Sequence, residues 1–208
     1  MKLIEQSFEI MRIDANPLIT IEKAGRTCYK SEDKICEGSA ERFTRGLLKS
    51  GHESVIEHAS ATVKFITNRG VTHELVRHRL CAFSQESTRY VNYGGDDMEF
   101  ICPVWFDNNY FHNVDDYVPE FEFIKACRLA EHQYKQLLIC GWKPEQAREV
   151  LPNALKTEIV VTANFREWRH IFRLRTSNKA HPQIRELMRK CLAEFQRQVP
   201  VIFGDILW

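Results

Sequence analysis

The chain has 208 residues, 44% of them hydrophobic and 27% charged, with 29 basic residues against 28 acidic ones and a net charge of +1. That is the make-up of an ordinary globular protein long enough to bury a sizeable core, and no run nears the 18 or so apolar residues of a membrane span. A general nucleic-acid binder would carry a clear basic excess, so basic clusters in this chain point to small anions.

Residues 2 to 11 alternate loosely and carry β-branched and aromatic side chains, which predicts a first strand. Asn16-Pro17 is a helix start, with Asn16 as N-cap and Pro17 at the first position, and the helix runs to about Cys28 with Leu18, Ile21 and Ala24 on one face. A second helix, about 35 to 49, ends at Gly51. After HESVIEHAS, Ala61 to Thr67 alternates as a strand with Val63 and Phe65 on one face. Asn68-Arg69-Gly70 turns the chain into a helix over about 71 to 79, followed by a loop over 80 to 98 that contains the breaker Gly94-Gly95-Asp96-Asp97. Glu99 to Cys102 form a short strand, and 103 to 114 are aromatic-rich and irregular. A long helix spans about 116 to 140, and another starts at Lys143-Pro144-Glu145 and stops before Pro152. Thr157 to Thr162 are the best central strand, and Asn164 to Leu174 and His181 to Val199 close the chain as two helices.

Helices and strands are interspersed, with no internal repeat, low-complexity stretch or linker. This predicts an α+β fold: one domain over 1–208, with a mostly antiparallel or mixed central sheet flanked by helices. No GxGxxG follows a strand and no GxxxxGK[ST] occurs, so the fold is non-Rossmann and side chains must hold any phosphates. The seven cysteines, Cys28, Cys36, Cys81, Cys102, Cys127, Cys140 and Cys191, are odd in number, scattered and without a CxxC pair. They predict free thiols in a reducing compartment. The N-terminus has no long apolar leader core, and the expected location is cytoplasmic.

The most informative stretch is Glu74 to Tyr93, ELVRHRLCAFSQESTRYVNY. Arg77-His78-Arg79 is followed by Ser84, Gln85, Glu86, Ser87, Thr88 and Arg89, a polar surface suited to a flat anionic small molecule, because Arg offers a planar fork to phosphate oxygens. Arg166, His170 and Arg173 form a second basic stripe at i, i+4, i+7, directly after the most hydrophobic strand and with Asn164 at the N-cap. Arg148 is an isolated third cation. Metal is not expected. His73 and His78 are five apart, which turns the second about 140° from the first on a helix, and His52 and His58 are six apart. Cys81 stands beside three cations, an environment that lowers a thiol pKa, but its first reading is a small apolar residue packing under the loop. Ser87 lacks a GxSxG elbow and an identifiable base, which favours a hydrogen-bonding role.

These residues together resemble the flavin-dependent thymidylate synthases. The family signature, RHR, seven residues, then Ser, stands here as Arg77-His78-Arg79, LCAFSQE, Ser87, and Thr88-Arg89-Tyr90 follow. GRTCYKS at 25–31, GHESVIEH at 51–58, AREVLP at 147–152 and NFREWRHIFRLR at 164–175 follow the family order. The resemblance implies methylation of dUMP to dTMP, with the carbon from 5,10-methylenetetrahydrofolate, reducing equivalents from NADPH through bound FAD, and no enzyme nucleophile. It implies FAD contacts at His52, Ser54, Glu57, Arg77, His78, Arg79, Gln85, Asn164, Arg166 and His170. For dUMP it implies Glu74, Arg77, Gln85, Glu86, Ser87, Thr88, Arg89, Arg148 and Arg175, with Arg148 from a neighbouring subunit of a homotetramer. The resemblance also implies Arg175 as the catalytic residue, bearing on the uracil and favouring loss of its N3 proton. The chain departs from some members at Ser84, Gln85 and His170. Two other classes fit less well: a nucleic-acid module on the two basic segments, opposed by the net charge, and a metal hydrolase on His52, His58, His73 and His78, opposed by the spacings.

Overall fold

The computed structural model describes residues 1–95, 97–106 and 118–208, so the predicted irregular stretch beyond 106, the start of the long helix and Asp96 in the glycine breaker lie outside the described residues. The strands are β1 (Lys2–Ile4), β2 (Ser7–Ile13), β3 (Ser60–Asn68), β4 (Ala82–Gln85), β5 (Glu99–Ile101) and β6 (Lys156–Asn164). The helices are α1 (Pro17–Tyr29), α2 (Ser39–Lys49), α3 (Arg69–Leu75), α4 (Pro119–Ile139), α5 (Pro144–Ala147), α6 (Phe165–Arg175), α7 (Pro182–Gln198) and α8 (Pro200–Phe203). Among the described residues, four strands form an open sheet in the order β2-β3-β6-β4, and β1 pairs with β5. The four-stranded sheet is mostly antiparallel. Asp14 donates to Ser60 O while Thr67 donates to Gln6, and Phe165 donates to Ala59 O while the Thr62 and Thr162 hydroxyls meet at 2.9 Å. In both cases one strand's numbers rise as its partner's fall. The β1–β5 pair is parallel, with Leu3 opposite Phe100. The α+β expectation therefore holds.

The chain divides into two compact units. The first comprises Met1–Ser7, Phe65–Leu75 and Ser84–Ile159; the second comprises Phe8–Lys64, Val76–Phe83 and Val160–Trp208.

In the first unit, Met98, Phe100, Cys127, Tyr134, Ala147 and Leu155 form the core. Helix α4 buries Ile124, Cys127, Glu131 and Tyr134, a 3.6-residue stripe that includes one acid. Burial raises the Glu131 pKa, but the Met98 N–H at 3.1 Å and the Lys135 ammonium at 3.0 Å overcome it and hold the carboxyl at about 2. Gly141, at φ +92°, ends α4 in the left-handed region that favours glycine.

The second unit is built on a cluster of Phe165, Trp168, Phe172, Phe195 and Phe203, with the Trp168 and Phe172 rings stacked 5.5 Å apart. The Trp168 indole N–H donates to Ala61 O at 3.1 Å, so the largest buried ring leaves no orphan donor. Arg169, 1% exposed, forks onto Asp205 at 2.6 and 2.7 Å and also donates to Ile202 O, tying the segment after α8 to the middle of α6.

Four expectations are corrected. The first strand is two strands, because β1 pairs with β5 and β2 with β3, and the chain changes partner at Glu5-Gln6. The Asn16 side chain makes no capping bond. The helix expected over 71–79 stops at Leu75. Continued, it would align Arg79 with buried Val71 and Leu75 at i+8 and i+4, so the turn takes a cation off an apolar face. Last, the loop expected over 80–98 contains β4, and the short helix α8 was not foreseen.

Candidate active site

The second unit gathers Arg77, His78 and Arg79 of the turn after α3 with one flank of α6. Released from the helix, Arg77 and Arg79 point outward and His78 points in, 5% exposed. Asn164 caps α6 by accepting the Glu167 N–H at 2.9 Å, which commits its carbonyl oxygen. Beyond the cap, Glu167, His170 and Leu174 lie on one stripe at i, i+3, i+7, and together with Arg77, His78, Arg79, Leu80 and Arg175 they line a cavity of about 290 Å³.

His78 is the hinge of this cavity. Its Nε2 accepts the Arg175 Nε–H at 3.1 Å, its Nδ1 stands 3.4 Å from Glu167 Oε1, and its ring meets that of His170 edge-on at 5.5 Å. Burial first, then the charges of Arg175 and His170, lower its pKa from 6.5 to about 4, so it is neutral at physiological pH. His78, Glu167 and His170 are also close enough to hold a metal ion. The Nε2 lone pair already faces a guanidinium, however, and a metal would have to displace that contact.

The exposed stripe Arg166, His170, Arg173 falls as expected. Arg166 pairs with Glu57 at 2.6 Å and Arg173 with Glu53 at 3.2 Å, both acids belonging to the 3₁₀ turn Glu53–His58 beside exposed His52 and Ser54. A pyrophosphate-bearing cofactor such as FAD needs several outward cations without a glycine cradle, and Arg77, Arg79, Arg166 and Arg173 provide that donor set. Cys81 is no activated thiol, in keeping with a residue packed under the loop: burial, then the Glu167 charge, push it up to about 12. The two arginines face away from it.

The first unit holds the other predicted residues. Gln85, at the end of β4, donates to Thr72 at 3.0 Å and Thr157 at 3.3 Å. Glu86 accepts from the Tyr93 hydroxyl at 2.5 Å and from Lys156 at 3.3 Å. Ser87 Oγ accepts the Arg89 N–H at 3.3 Å, and Thr88, buried, accepts from Arg148 at 3.3 Å within one chain. Arg148 Nε is buried without a hydrogen-bond partner, an unsatisfied donor in a polar cluster. Glu74 is half-buried on α3.

Sequence reasoning passed over Glu167 and Lys156. The signal for Glu167 was present: one acid among the four arginines of FREWRHIFRLR, next to the tryptophan of the buried face.

The chain is similar to solved and curated proteins along nearly its whole length. It superposes on the UMP/dUMP methylase PolB from Streptomyces cacaoi, bound with 5-Br dUMP, with a TM-score of 0.82 and 26% identity, covering 98% of this chain and 96% of the other. It is 36% identical over 198 residues to the flavin-dependent thymidylate synthase of Corynebacterium glutamicum, covering 89% of this chain and 78% of the relative. It is 37% identical over 213 residues to that of Mycobacteroides abscessus, covering 92% and 80%. Residues 9–201 match the family described as thymidylate synthase complementing protein, in both units, and to that family the chain belongs.

Proposed function

We propose that the protein is a flavin-dependent thymidylate synthase acting as one domain over residues 1–208. It converts dUMP, 5,10-methylenetetrahydrofolate, NADPH and a proton to dTMP, tetrahydrofolate and NADP⁺. The observation that carries this reading is Arg175 held through Nε by a neutral, buried His78. A cation fixed this way stabilises negative charge on a pyrimidine ring as its N3 proton leaves, with little reorganisation during the reaction. Bound FAD would supply the reducing equivalents, drawn from NADPH.

The chain's own residues do the rest. Arg77, Arg79, Arg166 and His170, with His52, Ser54, Glu57 and Asn164, hold the cofactor's phosphates and rings. Gln85, Ser87, Thr88, Arg89 and Arg148 hold the nucleotide, with Glu74, Glu86 and Arg77 beside them. No enzyme nucleophile is needed: the Cys81 thiol is pushed far from ionisation, and Ser87 Oγ is engaged by the Arg89 amide. Exposed Tyr29, Leu80, Tyr90, Ile139 and Leu207 support burial in a homotetramer. No described helix is long and apolar enough to cross a membrane, and the seven cysteines are all free, which supports a reducing, cytoplasmic setting.

The test is direct. Purified protein should take up FAD, show a yellow absorbance that NADPH bleaches, and form dTMP when dUMP and methylenetetrahydrofolate are added. UMP belongs in a parallel assay, because the PolB neighbour carries both nucleotides in its name. Protein that takes up no FAD and yields no methylated product overturns the proposal, and light scattering checks the tetramer.

A further inference from the structure

We infer that Glu167 is a positioning residue for Arg175, acting through the ring of His78. The inference rests on the catalytic role proposed for Arg175 and adds a residue to which the resemblance assigned no role. Three side chains are in line: Glu167 Oε1 3.4 Å from His78 Nδ1, then His78 Nε2 3.1 Å from Arg175 Nε. Glu167 and His78 are 7% and 5% exposed, so water does little to randomise them.

The hydrogen-bond chemistry allows a single protonation pattern. An arginine Nε can only donate, so His78 Nε2 must present its lone pair. The ring proton of a neutral imidazole then sits on Nδ1, facing the carboxylate. The opposite tautomer would set two N–H groups against each other at Arg175 and leave Nδ1 lone pair against carboxylate at Glu167. An imidazolium would restore only the second contact. Glu167 therefore fixes the tautomer, the tautomer fixes the acceptor, and the acceptor fixes the plane of the guanidinium. Each member is anchored by its own element: Glu167 and Arg175 on α6, eight residues apart, and His78 on the turn that follows α3. The lowered pKa of His78 agrees with a ring that must stay neutral.

The metal-like proximity of His78, Glu167 and His170 gains a different meaning from this. His170 is exposed and makes only an edge contact with His78, so it lies beside the line, not in it.

The decisive measurement is the tautomer of His78 in the FAD-loaded enzyme, read from ¹⁵N shifts of histidine-labelled protein and assigned with His78→Asn. The inference requires a protonated Nδ1 and an unprotonated Nε2; a protonated Nε2 in the wild type overturns it. Glu167→Ala should give mixed tautomers and lower kcat by about 10- to 100-fold, the usual cost of losing an outer-shell partner, with the KM for dUMP changed by less than about threefold. Glu167→Gln keeps a carbonyl acceptor and should recover most of that loss and the single tautomer. In an Arg175→Ala background, Glu167→Ala should cost nothing further; multiplying losses would show that Glu167 serves the fold alone. If Glu167→Ala does not fold, the wild-type tautomer and the Gln variant still decide. Full turnover by Arg175→Ala alone would sink the catalytic reading of Arg175, while the tautomer would still report on the line itself.

Discussion

The two units present their polar residues in opposite ways. In the first, the side chains from Gln85 to Thr88 are engaged by neighbouring polar groups: Gln85 by the Thr72 and Thr157 hydroxyls, Glu86 by Tyr93 and Lys156, Ser87 by a backbone amide, Thr88 by Arg148. In the second, a neutral histidine is buried beneath exposed cations and braced by a helix whose other face packs on an aromatic cluster. The first arrangement lies on a strand end and turn, which can adapt to a ligand. The second sits on a helix that cannot move without disturbing its core. Under the proposed function, recognition and chemistry make these different demands, which the proposal meets by assigning nucleotide contacts to the first unit and charge stabilisation to the second.

The contrast can be broken most severely at its base. Trp168→Ala removes a fully buried ring and a satisfied indole N–H, and should cost about 3–5 kcal/mol of unfolding free energy. Denaturant melts will show it, and a loss under about 1 kcal/mol would mean that α6 is not anchored as described. Arg175→Ala should lower dTMP formation about 10³-fold, in the range of lost oxyanion-hole donors, with an unchanged circular dichroism spectrum. Arg175→Lys should not restore it, since an ammonium lacks an Nε–H to engage His78.

A pH series addresses the buried ring. His78 titrates near 4 in the fold against 6.5 unfolded, so the unfolded chain binds the extra proton between those values. Stability is then complete above about 6.5 and falls as pH drops toward 4. Tm should decline across that window, and His78→Asn should flatten the decline even if its Tm at pH 7 is lower. A slope identical in the variant would assign the acid sensitivity elsewhere. Ser87→Ala, in the first unit, should weaken dUMP binding about 3- to 10-fold with residual turnover, the scale of one neutral hydrogen bond. Complete loss with normal dUMP binding would restore a nucleophile to consideration. The smallest effect on folding is expected for Arg166→Ala, whose pair with Glu57 is exposed: Tm should not move, while FAD retention on gel filtration should fall.

Much of the fold was legible because burial imposes a simple period. β3 and β6 alternate buried and half-buried residues along their whole lengths, and Ala61, Val63, Phe65, Ile159 and Val161 announce this in the sequence. Gly51, at φ +72°, ends α2 where a left-handed residue is needed. What escaped depends on distant partners. β4 has only four residues, and it sits beside β6, whose Glu158 carbonyl takes the Glu86 amide; nothing local to Ala82–Gln85 marks that. The end of α3 was missed because helix propensity continues past Leu75, while a continued helix would carry Arg79 onto the face of buried Val71 and Leu75. Of the site, the outward cations were plain from their spacing. The interior of the same feature was not: Glu167 looks like one more charge on a basic helix until His78 is folded over it.

The Arg169–Asp205 fork has a practical consequence for anyone engineering this protein. Arg169 immediately precedes His170 and shares its helix with Glu167 and Arg175; it forks onto Asp205 at 2.6 and 2.7 Å, and its Nε stands 3.5 Å from Glu53. Removing the Asp205 carboxylate would leave a buried guanidinium with Glu53 at 3.5 Å as its remaining acid, in the middle of the helix that carries Glu167 and Arg175. Any change at Asp205 should therefore be judged by its effect on the packing of α6.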